Sequence, residues 1–156
     1  MGYAQTALVR FVITEADTCR KYVLPELNSA GWDYPPHSFT EQKTFTDGRI
    51  VMAGTKIRRR PQKRADYLLR YARDFLIAVV EAKPAYKLPG DGLQQAKDYA
   101  EVLGLKFAYA TNGHGIVEFD YLTGTERDLL VSLRLTTYGI VFARLKALQT
   151  SSRMRF

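Results

Sequence analysis

The chain has 156 residues, 46% of them hydrophobic and 25% charged, which suits one soluble domain with a hydrophobic core. Its net charge of +7 favours a polyanionic partner, although many basic proteins bind no nucleic acid. No apolar run approaches the roughly 18 residues of a membrane span, the N-terminus lacks a signal-peptide pattern, and one cysteine with two distant histidines offers neither an internal disulfide nor a zinc cluster, so the expectation is a cytoplasmic protein without membrane contact.

In chain order, "TEADTCRKYVLPELNSAG" predicts a helix. Thr14 caps it, Glu15 and Asp17 sit in its first turn, and Gly31 stops it. Pro25 falls inside and is expected to kink the helix or end it early. "HSFTEQKTFTDGRIVMAG" alternates around Asp47-Gly48, which predicts a hairpin. "KIRRRPQKR" follows, with six cationic residues and no acid. It is either a solvated basic loop or a phosphate-binding strip made by Lys56, Arg58, Arg59, Arg60, Lys63 and Arg64. Arg64 to Tyr71 and Phe75 to Lys83 read as strands around a turn at Arg73-Asp74. "PAYKLPGDG" is a loop. "DGLQQAKDYAEVLG" is a helix, with Asp91 as its N-cap, Gly104 as its stop and Leu93, Ala96, Ala100 and Leu103 as its apolar stripe. "LKFAYATNG" and "GIVEFDYLTG" are strands joined by a glycine-rich turn. Helix, four strands, helix, two strands implies an α/β fold with a mixed sheet flanked by helices.

Chemistry concentrates on the second strand pair. Side chains alternate along a strand, so Glu81 and Lys83 share a face. A turn centred between Arg73 and Asp74 sets Asp66 directly opposite Glu81, with Cβ atoms about 4.5–5.5 Å apart. Two carboxylates so close repel unless a cation or proton intervenes. Oxygen ligands suit Mg²⁺ or Mn²⁺ better than zinc. Such an ion polarises a phosphoryl oxygen and lowers the pKa of a water, while Lys83 stabilises developing charge. Acid-x-Lys alone is a weak pattern, and Glu41-Gln42-Lys43 has the same form in a stretch that reads as a solvated strand face. Glu81-Ala82-Lys83 differs because five apolar residues, Leu76 to Val80, precede it. The bland alternative is a charged strand end emerging into solvent. Gln95 and Tyr99, four apart on the next helix, share a face and supply hydrogen-bonding groups.

Asp66, then Glu81-Ala82-Lys83, then Gln95-Ala96-Lys97-Asp98-Tyr99 resembles the PD-(D/E)xK nuclease domain with its Q-x-x-x-Y extension, as found at the N-terminus of the motor/restriction (R) subunit of type I restriction enzymes. "TEADTCRKYVLPEL", "EQKTFTDGRI", "KRADYLLRY", "AVVEAK", "FAYATNG" and "IVEFDYLTG" agree, so the resemblance covers roughly Thr14 to Leu129. It implies a restriction-endonuclease-like core and Mg²⁺-dependent cleavage of double-stranded DNA. It implies Asp66 and Glu81 as metal ligands, with the Ala82 carbonyl as a third and Glu15 matching the first-helix acid. Lys83 is implied as the catalytic lysine, with Gln95 and Tyr99 supporting cleavage. Modification and specificity subunits are the implied partners. ATP enters only through the motor region of a full-length subunit, because this chain has no Walker A pattern. Ala65 stands where the family usually has proline. A stand-alone nuclease such as a junction resolvase, or a non-catalytic DNA-binding or subunit-docking fragment, are the alternatives.

The resemblance assigns residues 1–130 to the nuclease domain and leaves 131–156 as an atypical tail. Beyond Val131 the family reads like "PTPDELW", whereas Leu133 to Phe142 is "LRLTTYGIVF". Shifted back by one base, codons for Tyr-Gly-Ile-Val-Phe are compatible with Leu-Trp-His-Arg-Phe, and a Pro-Thr-Pro-Asp-Asp run fits just before it. The expectation is a frameshift near Ser132. Sequencing the DNA checks it: the neighbouring frame should encode the family's continuation, and a neighbouring frame that cannot encode it refutes the shift.

Overall fold

Residues 12–45, 51–53, 56–58 and 62–129 are described by the structure, a computed structural model. The first helix, α1 (Glu15–Thr18), opens on a capping box. Thr14 Oγ1 accepts from the Asp17 N–H at 3.2 Å, and Asp17 Oδ2 accepts from the Thr14 N–H at 3.1 Å. A π-helical turn, Cys19–Val23, widens the helix before α2 (Leu24–Ser29). Proline lacks an N–H and crowds the carbonyl four residues back. The wider turn relieves that crowding, so the helical segment runs through Pro25 instead of ending there. α2 closes in a Schellman motif. The Trp32 N–H donates to the Leu27 carbonyl and the Gly31 N–H to the Asn28 carbonyl, both at 3.0 Å, with Gly31 at φ +81°.

Six strands form one mixed sheet: β1 (Ser38–Phe45), β4 (Lys63–Ala72), β5 (Phe75–Ala82), β6 (Phe107–Thr111), β7 (Ile116–Asp120) and β8 (Thr125–Leu129), side by side in that order. Among the described residues only β5 and β6 pair in parallel. β2 (Val51–Ala53) and β3 (Lys56–Arg58) pair with each other in a separate two-stranded sheet. The expected hairpin within 37–54 is therefore corrected: β1 pairs with β4, where Phe39 packs its ring 6.0 Å from that of Tyr67. Asp47-Gly48 lies outside the described residues. The strands β3 and β8 also exceed the expected number.

A parallel pair needs a crossover, and α3 (Leu93–Leu103) supplies it between β5 and β6. Gly104 stops it in a left-handed conformation at φ +66°. Asp91 does not cap it. A 3₁₀ turn, Pro89–Gly92, intervenes, Gly92 takes the N-cap position, and Asp91 Oδ2 accepts from the Leu88 N–H at 3.2 Å. α1–α2 and α3 pack with different cores. Val23, Leu27 and Trp32 pack with Tyr67, Leu69, Val80 and Tyr109, while Ala96, Tyr99 and Ala100 pack with Leu68, Val79 and Ala108. Helices this short are marginal alone. Burial of side chains such as Val23 and Leu27, worth about 1.5–3 kcal/mol each, holds them. No helix among the described residues is long and apolar enough to cross a membrane.

The β6–β7 turn approaches the π-helical turn closely. A Cβ on Gly113, at φ +88°, would lie 2.4 Å from Tyr22 Cδ2, whereas one on Gly31 would meet nothing within 4 Å. Both positions disfavour L side chains, but only Gly113 adds a clash. Gly113→Ala should lower stability by more than ~1 kcal/mol and by more than Gly31→Ala, read from urea unfolding midpoints. Equal losses would show that Tyr22 yields freely.

Candidate active site

The β4–β5 hairpin places the two acids. Its register pairs Ala72 with Phe75 at the turn and Tyr67 with Val80 at the far end, and an irregularity that sets Arg70 against Leu76 is absorbed between them. The same register carried one step further sets Asp66 opposite Glu81. There, side chains replace the backbone ladder. The Asp66 N–H donates to Glu81 Oε1 at 3.2 Å, and the Ala82 N–H donates to Asp66 Oδ2 at 2.9 Å. Asp66 is 5% exposed and Glu81 1%. Glu81 ends the apolar run of a central strand, which is why it lies so deep.

Burial, and next the charge of Asp66, push the Glu81 carboxyl up to about 8. The Asp66 N–H and Lys83 pull in the opposite direction without overcoming burial. Asp66 and Glu81 are thus a pair for which a proton or a cation is worth most.

Gln95 on α3 binds three partners. Its Nε2 donates to Glu81 Oε2 and to the Tyr99 hydroxyl, each at 2.9 Å, and its Oε1 accepts from Lys83 Nζ at 3.1 Å. Both amide hydrogens are used, and the i,i+4 spacing sets Tyr99 beside it. Tyr99 meets the edge of Phe45 at 5.2 Å, and Lys63 Nζ lies 5.8 Å from its ring centre. Glu15 joins through Lys83, with Oε2 3.6 Å from Nζ. Among the described residues no group of three or more His, Cys, Asp or Glu side chains is placed to hold a metal ion. Glu15 is a partner of Lys83 in this arrangement.

Three contributors escape a reading of the sequence. Gln42 belongs to the stretch expected to be a solvated strand face. It is exposed, but its Nε2 donates to Asp66 Oδ1 at 2.8 Å. It also stands at φ +50°, a left-handed conformation that costs a non-glycine residue on the order of 1–3 kcal/mol. Gly92 makes room for the lysine: a Cβ there would lie 3.1 Å from Lys83 Cε and 3.3 Å from its Cγ. Asn112 ties down the loop after Lys83, donating to the Lys87 carbonyl at 2.7 Å and accepting from the N–H groups of His114 and Gly115 at 2.9 Å. Only the glycine in "PGDG" and the Asn-Gly in "ATNG" carry a local signal, and both read as turn residues.

The basic run is divided. Lys56 and Arg58 lie on β3, Arg59 and Arg60 lie outside the described residues, and Lys63 and Arg64 open β4. Cys19 is buried in the core, and desolvation with the nearby Asp66 charge pushes its thiol up to about 12, which disfavours the reactive thiolate.

No family model matches the chain. A type I restriction enzyme EcoAI endonuclease subunit from Escherichia coli is 37% identical over 118 residues, which is 76% of this chain and 14% of that subunit. A solved fragment described as an HsdR subunit of a type I restriction enzyme from Vibrio vulnificus YJ016 is 59% identical, with a TM-score of 0.70 over 86% of this chain and 26% of that one. The chain belongs to the type I restriction enzyme R (HsdR) subunit family. It spans well under a third of the length of these relatives. The R-subunit resemblance implied a mixed sheet with helices on its faces, and the six-stranded sheet here has that architecture.

In this R-subunit chain, Glu81 has an ordinary value of 4.5 when unfolded and about 8 when folded. The folded state binds the proton more tightly. The resulting stability is fully present below about 4.5 and is lost as pH rises through about 8. Without divalent cations, the melting temperature should fall across that window, and Glu81→Gln should flatten the fall. A Glu81→Gln profile parallel to that of the parent chain would place the titration elsewhere.

Proposed function

We propose that this chain is a Mg²⁺-dependent endonuclease domain of a type I restriction system, hydrolysing phosphodiester bonds in double-stranded DNA. One observation carries it: two buried carboxylates bonded to each other's strands, with Lys83 held beside them through Gln95. The donor set fits the ion. Mg²⁺ takes hard oxygen ligands, is commonly held by one or two carboxylates and keeps several waters. A closed cage of three or more acids is therefore unnecessary. Asp66, Glu81 and the Ala82 carbonyl would hold the ion, which when bound supplies Lewis-acid activation of phosphate and water.

The chain's own residues do the rest. Gln95 aims the Lys83 ammonium while anchoring Glu81 at the same time. The Lys83 ammonium stabilises negative charge that grows on the reacting phosphate. Glu15 faces Lys83 from the helical segment, with Oε2 3.6 Å from Nζ. Lys63 Nζ lies 5.8 Å from the Tyr99 ring centre, so the C-terminal end of the basic strip lies beside the site. Lys56, Arg58, Arg59, Arg60, Lys63 and Arg64 would contact DNA phosphates and set register without reading bases. ATP-driven movement and choice of site would come from the rest of the R subunit and from the modification and specificity subunits.

Isothermal titration with Mn²⁺ or Mg²⁺ tests the centre. Asp66→Ala and Glu81→Ala should each weaken binding with the fold intact, while Glu41→Ala should leave it unchanged. Unaltered titrations in both site variants would remove the shared-ion assignment. Cleavage assays need the complex restored with motor and specificity subunits. There, Lys83→Ala should lower the rate by about 10²–10³ with little change in DNA affinity. Neutralising Arg58, Arg59 and Arg60 together should instead weaken binding and reduce its salt dependence. Full cleavage by Lys83→Ala, or lost DNA binding in that variant alone, would overturn the division of roles.

A further inference from the structure

Strand β1 changes face halfway along. In a regular strand, residues of one parity share a face. Phe39 packs on Tyr67, in the core beneath α1–α2, yet Phe45 packs on Tyr99, in the core beneath α3. β4 does the same: Tyr67 belongs to the first core, whereas Ala65 belongs to the second and Lys63 lies over Tyr99. The register pairs Glu41 with Tyr67 and Lys43 with Ala65, so Gln42 and Asp66 face each other where both strands turn over. Gln42 is the one described non-glycine residue with positive φ, at +50°, and its amide reaches Asp66 Oδ1 at 2.8 Å.

We propose that Gln42 is a positioning residue that sets Asp66 for divalent-cation binding. The proposal rests on the reading of Asp66 and Glu81 as a cation site. A carboxylate held at one oxygen still turns about its Cβ–Cγ bond. Ala82 holds Oδ2 of Asp66, and Gln42 holds Oδ1, so the plane of the group is fixed. The left-handed backbone is what brings the Gln42 amide to that oxygen from a strand whose neighbouring residues, Glu41 and Lys43, point to solvent. Groups of this kind behind a metal ligand commonly change affinity by about 10–100-fold.

Gln42→Gly is the informative variant, because glycine accepts positive φ and removes only the side chain. Gln42→Asn is its companion; it tolerates the same backbone but is one methylene short. Mn²⁺ titration and thermal melting of the 156-residue chain are measured for both, with Asp66→Ala as reference. The expected result is Mn²⁺ affinity lowered about 10–100-fold in both variants, with a metal-free melting temperature in Gln42→Gly no lower than that of the parent chain. Parent-like affinity in Gln42→Gly or Gln42→Asn overturns the proposal while the cation site stands. Identical titrations of the parent chain and Asp66→Ala overturn the cation site, and this proposal with it. A Gln42→Gly chain that melts far lower shows Gln42 to be structural and also overturns it.

Discussion

Two carboxyl groups placed in one dry location, where both ionise only at a cost, govern this structure. Asp66 and Glu81 would drive apart if either were left without donors, because charge repulsion is weakly screened away from water. Each element near them answers that requirement. β5 offers the Ala82 N–H, β4 the Asp66 N–H, β1 the Gln42 amide and α3 the Gln95 amide. The hydrophobic layers on both sides of the sheet keep those donors in place. The packing of α3 thus has an electrostatic as well as an apolar purpose, since Ala96 and Ala100 seat the helix that carries Gln95 and Tyr99.

Much of this was legible because it is local. The β4–β5 turn is short, so counting outward from it gave the pairing of Asp66 with Glu81. The α3 stripe and the four-residue step from Gln95 to Tyr99 follow from helical period alone. The capping box at Thr14 is equally local. What was not legible depends on distant partners. β1 joins β4 across a stretch of more than ten residues, and a hairpin signal at Asp47-Gly48 favoured the wrong neighbour. Gln42 looked like one polar residue among several because its importance lies only in what stands opposite. Pro25 predicted a kink or an early end, and the helical segment instead runs through it behind a π-helical turn. β8, Thr125–Leu129, is charged and mostly exposed, so it lacks the alternation that marks a strand.

Tyr99 links the two halves of the proposed chemistry. Its hydroxyl receives a hydrogen bond from the amide that holds Glu81 and Lys83, while its ring touches Phe45 and lies near the Lys63 ammonium. A cation on an aromatic face contributes about 0.5–1 kcal/mol at exposed sites. That suffices to bias the direction in which the first residues of β4 present their charge. Lys63 and the carboxylate pair are therefore connected through one side chain.

The left-handed turn at Gln42 has a further effect on the outside of the molecule. Among the described residues β1 is the edge of the sheet, and an unbroken edge of eight residues would be a template for pairing with another chain. Reversal of its face at Gln42 divides that edge into two short runs, Ser38 to Glu41 and Lys43 to Phe45, whose peptide groups are not presented in one continuous row. Charged side chains flank the break on both sides. The same backbone conformation that directs an amide onto Asp66 also deters edge-to-edge aggregation.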